Sequence, residues 1–167
     1  MVSRDGTFGI LIGAAVGTLL LVPAQGLAQD PLTVFACRNV SYLSPLEDLT
    51  RCAEQGFAGA QYSLGLRYNM GHDAPQDGAE AFRWYQQAAE QGHAFAQLDL
   101  GYQHSTQGVL YDLVHAYMWF DLSAAQGTET AQESKDFLGQ LMTREQIAEA
   151  QRLSREWIEA HPQDGGN

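Results

Sequence analysis

The chain has 167 residues, about one domain's worth once a leader is set aside, with 45% hydrophobic and 17% charged residues. Twenty acids against nine bases leave a net charge of −11, and Lys135 is the only lysine. So acidic a surface excludes the basic footprint that nucleic acid or an anionic lipid surface requires, and a basic or neutral protein is the easier partner.

Residues 1–28 read as an export leader. A short polar start with Arg4 beside Asp5 precedes an apolar run from Phe8 to Val22, then Pro23 and small residues ending Gly26-Leu27-Ala28. Small residues three and one before a cut place cleavage between Ala28 and Gln29. The alternative is an uncleaved membrane anchor, against which the run is shorter than the ~20 apolar residues of a spanning helix and is interrupted by Gly13 and Gly17. A lipidation box at Val34-Phe35-Ala36-Cys37 would stand well beyond the apolar run, with bulky Phe35 inside it. The expected location is therefore periplasmic or secreted, with no membrane insertion once the leader is removed.

An extended segment is expected over residues 29–44. The two cysteines, Cys37 and Cys52, are an even count in an exported chain and point to a disulfide. Closing a loop of this length stabilises by roughly 3 kcal/mol. The alternative is two buried thiols, since Cys52 aligns with Ala88 and Ser123 at small, core-facing positions. Ser44-Pro45-Leu46-Glu47 reads as an N-cap, a proline at N1 and an acid at N3, opening a helix over 45–55.

A repeat follows. Ala53-Glu54-Gln55-Gly56 returns as Ala89-Glu90-Gln91-Gly92 and as Ala124-Ala125-Gln126-Gly127, at intervals of 92 − 56 = 36 and 127 − 92 = 35 residues. Ala60-Gln61 recurs as Ala96-Gln97 and Ala131-Gln132, Leu64-Gly65 as Leu100-Gly101, and Trp84-Tyr85 as Trp119-Phe120. A fixed period of this size marks a stack in which each unit buries its apolar face against its neighbours. Each unit resolves into two helices. Helix A runs from Ala58 toward Gly71, and helix B carries Ala81, Trp84-Tyr85 and Ala88-Ala89 and stops at Gly92. The second copy spans Ala94 to His104, then Leu113 to Gln126 behind an Asp112 N-cap. Gly65 and Gly101 lie inside helix A, where glycine costs about 1 kcal/mol relative to alanine. Close backbone approach, with the indole of the following helix B filling the space, is the expected compensation.

These landmarks (Ala-Gln-x-x-Leu-Gly, an Asp in the turn, Ala-x-x-Trp-aromatic, a closing Ala-x-x-Gly) resemble the Sel-like repeat family, relatives of the tetratricopeptide arrays. The likeness covers roughly half of the chain. It implies an all-α solenoid with capping helices at both ends, units near 56–91 and 92–126, and caps at 45–55 and 128–160. The first turn, Gly71-His72-Asp73-Ala74-Pro75, departs from the usual Gly-x-Gly-Val form, and Lys135-Asp136 replaces the Leu-Gly pair of a third unit, which begins without being completed.

Toward the C-terminus, Ala131, Leu138 and Leu141-Met142 form a broken amphipathic pattern. Thr143-Arg144-Glu145-Gln146 is a capping box opening a last helix with Ile147, Leu153, Trp157 and Ile158 on one stripe. A polar tail runs from His161 to Asn167.

The sequence lacks Gly-x-Ser-x-Gly, His-Glu-x-x-His and a phosphate loop, and no cofactor or metal is implied. Some cysteine-rich relatives are linked to β-lactam binding or hydrolysis. A hydrolase of that type is the alternative reading, although this chain lacks a cysteine pair in each repeat and has Gln132 three residues before Lys135, so no Ser-x-x-Lys. His72, His93, His104 and His115 form no i, i+4 pair and read as surface or groove residues. Glu47-Asp48 and Asp77-Glu80 stand at helix starts, where capping and the helix dipole account for them. Trp84 and Trp119 repeat with the period and read as core.

The resemblance implies a non-catalytic adaptor, scaffold or signalling regulator of the bacterial envelope, binding a protein or peptide along helix A residues that face away from helix B. By position these are Tyr62, Arg67 and Tyr68 in the first unit and Asp99, Gln103 and His104 in the second. Tyrosine and arginine are frequent interface anchors. Packing between helices is the competing role for the tyrosines, Tyr68 above all, and self-association by end-to-end stacking is a second mode of assembly.

Overall fold

The computed structural model describes residues 31–106 and 112–162. The expected leader and its cleavage point, the Gln107-Gly108-Val109 turn and most of the tail lie outside the described residues. Within them the chain is helical throughout: α1 (Pro31–Arg38), α2 (Leu46–Glu54), α3 (Ala58–Met70), α4 (Gly78–Glu90), α5 (Ala94–Ser105), α6 (Leu113–Ala125), α7 (Glu129–Gly139) and α8 (Arg144–Ala160). α3 pairs with α4 and α5 with α6, α4 packs on α5 to join the two hairpins, and α2 covers α3. This is an all-α solenoid of two helix pairs with caps at both ends.

Local chemistry sets the boundaries. Gly56, Gly71, Gly92 and Gly127 have φ of 89°, 67°, 81° and 89°, the left-handed conformation in which a Cβ is disfavoured, and each ends or follows a helix. Asp77 and Asp112 cap α4 and α6, each accepting two backbone N–H groups. Thr143 and Gln146 form the capping box of α8. Ser44 differs from its expected role: its Oγ accepts the Ser41 N–H at 3.0 Å, and α2 begins after Pro45 without a side-chain cap. Residues 31–38, expected to be extended, form α1.

The recurring Ala-Gln pairs have a physical reason. Gln61 and Gln97 are buried, and each donates from Nε2 across the joint to the end of the preceding helix, to Ala53 O and Ala89 O, both at 3.2 Å. Their own carbonyl oxygens accept from Gln91 at 2.6 Å and Gln126 at 2.8 Å. Two buried amides are thus satisfied by one repeating relay, and a buried polar group left without partners would cost about 1–3 kcal/mol. Gln132, the third copy, is exposed and bonds Asp136 instead.

The core falls into three clusters along the stack, the middle and N-terminal ones joined through half-buried Tyr68. Ala81, Tyr85, Ala88, Ala89, Ala96 and Leu100 meet Met118, Trp119 and Leu122 at the middle joint. Gly65 and Gly101 do permit close approach, but the ring in each space belongs to the residue after the tryptophan. A Cβ on Gly65 would lie 2.7 Å from Tyr85, and one on Gly101 would lie 2.5 Å from Phe120. The helix crossing turns Tyr85 and Phe120 against helix A. Trp84 instead packs toward the first joint with Phe57 and Leu64, and Trp119 meets Trp157 edge to face at 6.4 Å.

At the N-terminal end Cys37 and Cys52 form a disulfide, with Cα atoms 5.3 Å apart, that staples α1 to α2. At the other end α7 and α8 both pack against α6, so the last two helices close the stack without repeating the hairpin of the first two units. Lys135, which stands where Leu100 stands one unit earlier, pairs with Asp121 at 3.0 Å.

Candidate functional site

Side chains of the A helices form a surface of two linked hollows. The first is a cleft of about 210 Å³ lined by Asn69, Gly78, Tyr85, Asp99, Tyr102 and Gln103, where the end of α3 and the start of α4 meet α5. The second, of about 510 Å³, lies between α5 and α7 and includes Tyr102, Phe120, Glu133, Phe137 and Leu141. Tyr102 belongs to both, so the hollows are neighbours along one face. Phe137 and Leu141 are 63% and 61% exposed and stand side by side in the lining of this hollow.

The two hollows have the same origin and opposite character. Each lies beside the ring that fills the space under a helix A glycine. In the first unit that ring is Tyr85, whose buried hydroxyl has no hydrogen-bond partner. In the second it is Phe120, with Tyr102 edge-on at 5.2 Å, and the lining is mainly apolar. The Tyr102 hydroxyl lies 3.0 Å from Ser134 Oγ and bridges α5 to α7.

The first cleft is electrostatically loaded. Asp99 is half-buried, and burial raises its carboxyl above the usual aspartate range, partly offset by a hydrogen bond from the Tyr62 hydroxyl. Burial, followed by the charge of Asp99, also pushes the Tyr62 and Tyr85 hydroxyls well above the usual tyrosine value. Both phenols therefore stay protonated, as donors, at any physiological pH. Tyr62 stacks on His93 at 4.7 Å and on Phe95 at 6.2 Å. Burial lowers the His93 pKa, and its neutral Nδ1 accepts the Ala96 N–H as the cap of α5.

Of the residues expected at the site, Asp99 and Gln103 line the cleft, and Tyr62 stands beside Asp99 outside its lining. Arg67 does not join them. Its side chain is buried, donating to Tyr42 O and, at 3.0 Å, to Ser44 O, pairing with Asp73, and lying 4.7 Å over the Tyr42 ring. It fastens the segment after α1 to the first unit. Tyr68 is half-buried in the core between the first two joints. His104 lies edge-on to Phe82 at 6.0 Å and stacks on His115 at 5.8 Å, facing the B helices. Tyr85, Tyr102, Phe137 and Leu141 escape a position-by-position transfer. Tyr85 and Tyr102 sit beside recurrent core landmarks, and Phe137 lies in the broken pattern of α7.

Among the described residues no group of three or more His, Cys, Asp or Glu is placed to hold a metal ion, and no helix is long and apolar enough to cross a membrane. The arrangement is suited to recognition: protonated phenols, a carboxylate in each hollow, and a mainly apolar wall in the second.

A family model described as Sel1 repeat matches residues 58–93 and 94–128. Among solved structures, the chain is similar to c5321, a protective antigen present in uropathogenic Escherichia coli strains and displaying an SLR fold. The identity is 29% with a TM-score of 0.65, covering 78% of this chain and 29% of that one. It is also similar to a Sel1 repeat protein from Oxalobacter formigenes, at 35% identity and a TM-score of 0.52, covering 54% of this chain and 37% of that one. The chain thus spans about a third of the length of these proteins.

Proposed function

We propose that this chain, a member of the Sel-like repeat family by its two Sel1 repeats, is a non-catalytic interaction module that holds a peptide segment of a partner protein along its helix A face. Sel1 repeats are in general protein–protein interaction modules. The observation that carries the reading here is the pair of hollows sharing Tyr102, each with one carboxylate in its lining and the second mainly apolar, on a chain of net charge −11. The occupant is a segment with both basic and apolar side chains, attracted by the overall field and anchored in the hollows. The disulfide supports an oxidising compartment, hence the periplasm or outside the cell, and the likeness to a protective antigen fits an exported protein. The hydrolase alternative gains nothing from the geometry, since the single lysine is paired with Asp121.

The test is site-specific photo-crosslinking. A benzophenone amino acid at Tyr102 or Phe137 is expected to capture a discrete partner from envelope extract, whereas the same group at exposed Arg83 or Gln86 on α4 is not. Capture from the α4 positions alone would move function to the helix B face and refute the reading.

A further inference from the structure

The cleft between α3 and α5 combines three features that packing alone does not explain. The Tyr85 side chain is 1% exposed, yet its hydroxyl has no partner and it lines the cleft. A buried hydroxyl without a bond is costly, and an apolar ring at the same position is known to suit the fold, because Phe120 occupies it in the next unit. Asp99 is the only charged residue in the cleft's lining; the neighbouring Tyr62 hydroxyl is neutral, and no cation is paired with Asp99 among the ion pairs of the described residues. At about 210 Å³, the space is smaller than the roughly 300–1,000 Å³ of small-molecule sites and is scaled to one side chain.

We propose that this cleft is the receptor for a single arginine side chain of the bound segment, with Asp99 as its counter-ion and the Tyr85 hydroxyl as a second acceptor. The proposal rests on the helix A face being the partner surface. A guanidinium is planar and carries five N–H donors, which match the acceptors borne by residues of the cleft: the Asp99 carboxylate, the side-chain carbonyls of Gln103 and Asn69, and the buried, unpartnered Tyr85 oxygen once the ring turns toward the guest. Tyr102, also in the lining, supplies an aromatic ring next to the cation. Lysine, a compact and strongly hydrated charge with three donors, would leave part of this set unused. The neighbouring apolar hollow takes the residues that follow in the segment.

The experiment is a titration of the isotope-labelled protein with the acetylated, amidated tripeptide Ala-Arg-Leu, followed through backbone amide shifts, beside tripeptides with Lys, norleucine or Glu in the centre. Saturable shifts at Asp99, Tyr102 and Gln103 are expected with the arginine peptide, with weaker binding of lysine and none of norleucine or Glu. Asp99→Asn, which keeps an acceptor for Tyr62, is expected to weaken binding about tenfold or more, the loss of a charge-assisted hydrogen bond. Tyr85→Phe, which copies the ring that Phe120 supplies in the second unit and so is expected to fold, weakens it about threefold. Lysine bound as tightly as arginine, or arginine binding unchanged in folded Asp99→Asn, overturns the assignment. Absence of any shift also overturns it and leaves the cleft as a water site. Partner crosslinks from Tyr102 and Phe137 would survive that failure, so loss of the arginine site and loss of the partner surface remain distinguishable.

Discussion

Replacing Gly101 by alanine sets two effects of opposite sign against each other. In a helix interior the change gains about 1 kcal/mol of intrinsic propensity. The new Cβ would stand 2.5 Å from Cδ1 and Cε1 of Phe120, about 1 Å inside the ~3.5 Å carbon–carbon contact distance. Phe120 is 2% exposed and clusters with Ala116, Leu138, Met142 and Ala150, so the ring can yield only toward the hollow it lines and only by giving up those contacts. Overpacking of this kind costs about 1–3 kcal/mol, which outweighs the propensity gain at its midpoint and leaves a net loss of about 1 kcal/mol. For a domain of this size that lowers Tm by about 4 °C in thermal unfolding followed by circular dichroism. Gly59, in the first turn of α3, is the internal control: a Cβ there would meet nothing within 4 Å, and Gly59→Ala is expected to be neutral or stabilising by up to about 1 kcal/mol. In the double variant Gly101→Ala/Phe120→Leu the smaller side chain relieves the clash, so the two changes together cost less than their sum by about 1 kcal/mol. If Gly101→Ala stabilises as Gly59→Ala does, the close approach of ring and backbone does not constrain the fold and the reasoning fails.

Removing the disulfide with Cys37→Ser/Cys52→Ser is expected to cost about 3 kcal/mol in denaturant unfolding, the entropy of a 15-residue closure. Arg67→Met withdraws the donor from Tyr42 O and Ser44 O at a cost of about 2 kcal/mol, and limited proteolysis is expected to find new cuts between Asn39 and Ser44. Stability is expected to fall as pH drops below 6.5, the ordinary histidine value, because burial lowers the folded-state pKa of His93 and the unfolded chain then binds the extra proton. The loss develops between 6.5 and that lowered pKa, and His93→Asn, which keeps a capping acceptor, is expected to flatten the profile. Asp99 acts in the reverse sense: its raised pKa means that the charged form is held against burial, so Asp99→Asn is expected to raise stability at neutral pH while weakening arginine binding.

The stack was legible because its signals are local and recur. Gly56, Gly92 and Gly127 mark helix ends by a conformation that glycine tolerates best, and the period of the Ala-Gln and Leu-Gly pairs fixes the units. The period cannot say which half of Trp84-Tyr85 lies under the neighbouring glycine, since both residues recur together, and only the crossing of the two helices assigns that place to Tyr85. Arg67 was harder still. Besides Asp73, its partners are backbone carbonyls of Tyr42 and Ser44, brought within reach by the folding back of a segment that the disulfide anchors, and no side-chain pattern records a carbonyl. The cleft was half visible: Asp99 and Gln103 follow from their place on helix A, but the unpartnered Tyr85 hydroxyl exists only once the ring has been threaded beneath Gly65.

The glutamine relay makes the joint before α3 and the joint before α5 chemically interchangeable. Gln61 reaches Ala53 and receives Gln91, just as Gln97 reaches Ala89 and receives Gln126. An in-frame duplication of residues 57–92 would therefore offer each neighbour the donor and acceptor it already has, and the array would lengthen by one hairpin with both closing ends intact. Every such copy would bring a new hollow beneath its own glycine, and one oxygen atom, present on tyrosine and absent from phenylalanine, would choose whether that hollow takes a polar or an apolar guest. A lineage built this way can rewrite the order of anchors it reads without redesigning a single interface.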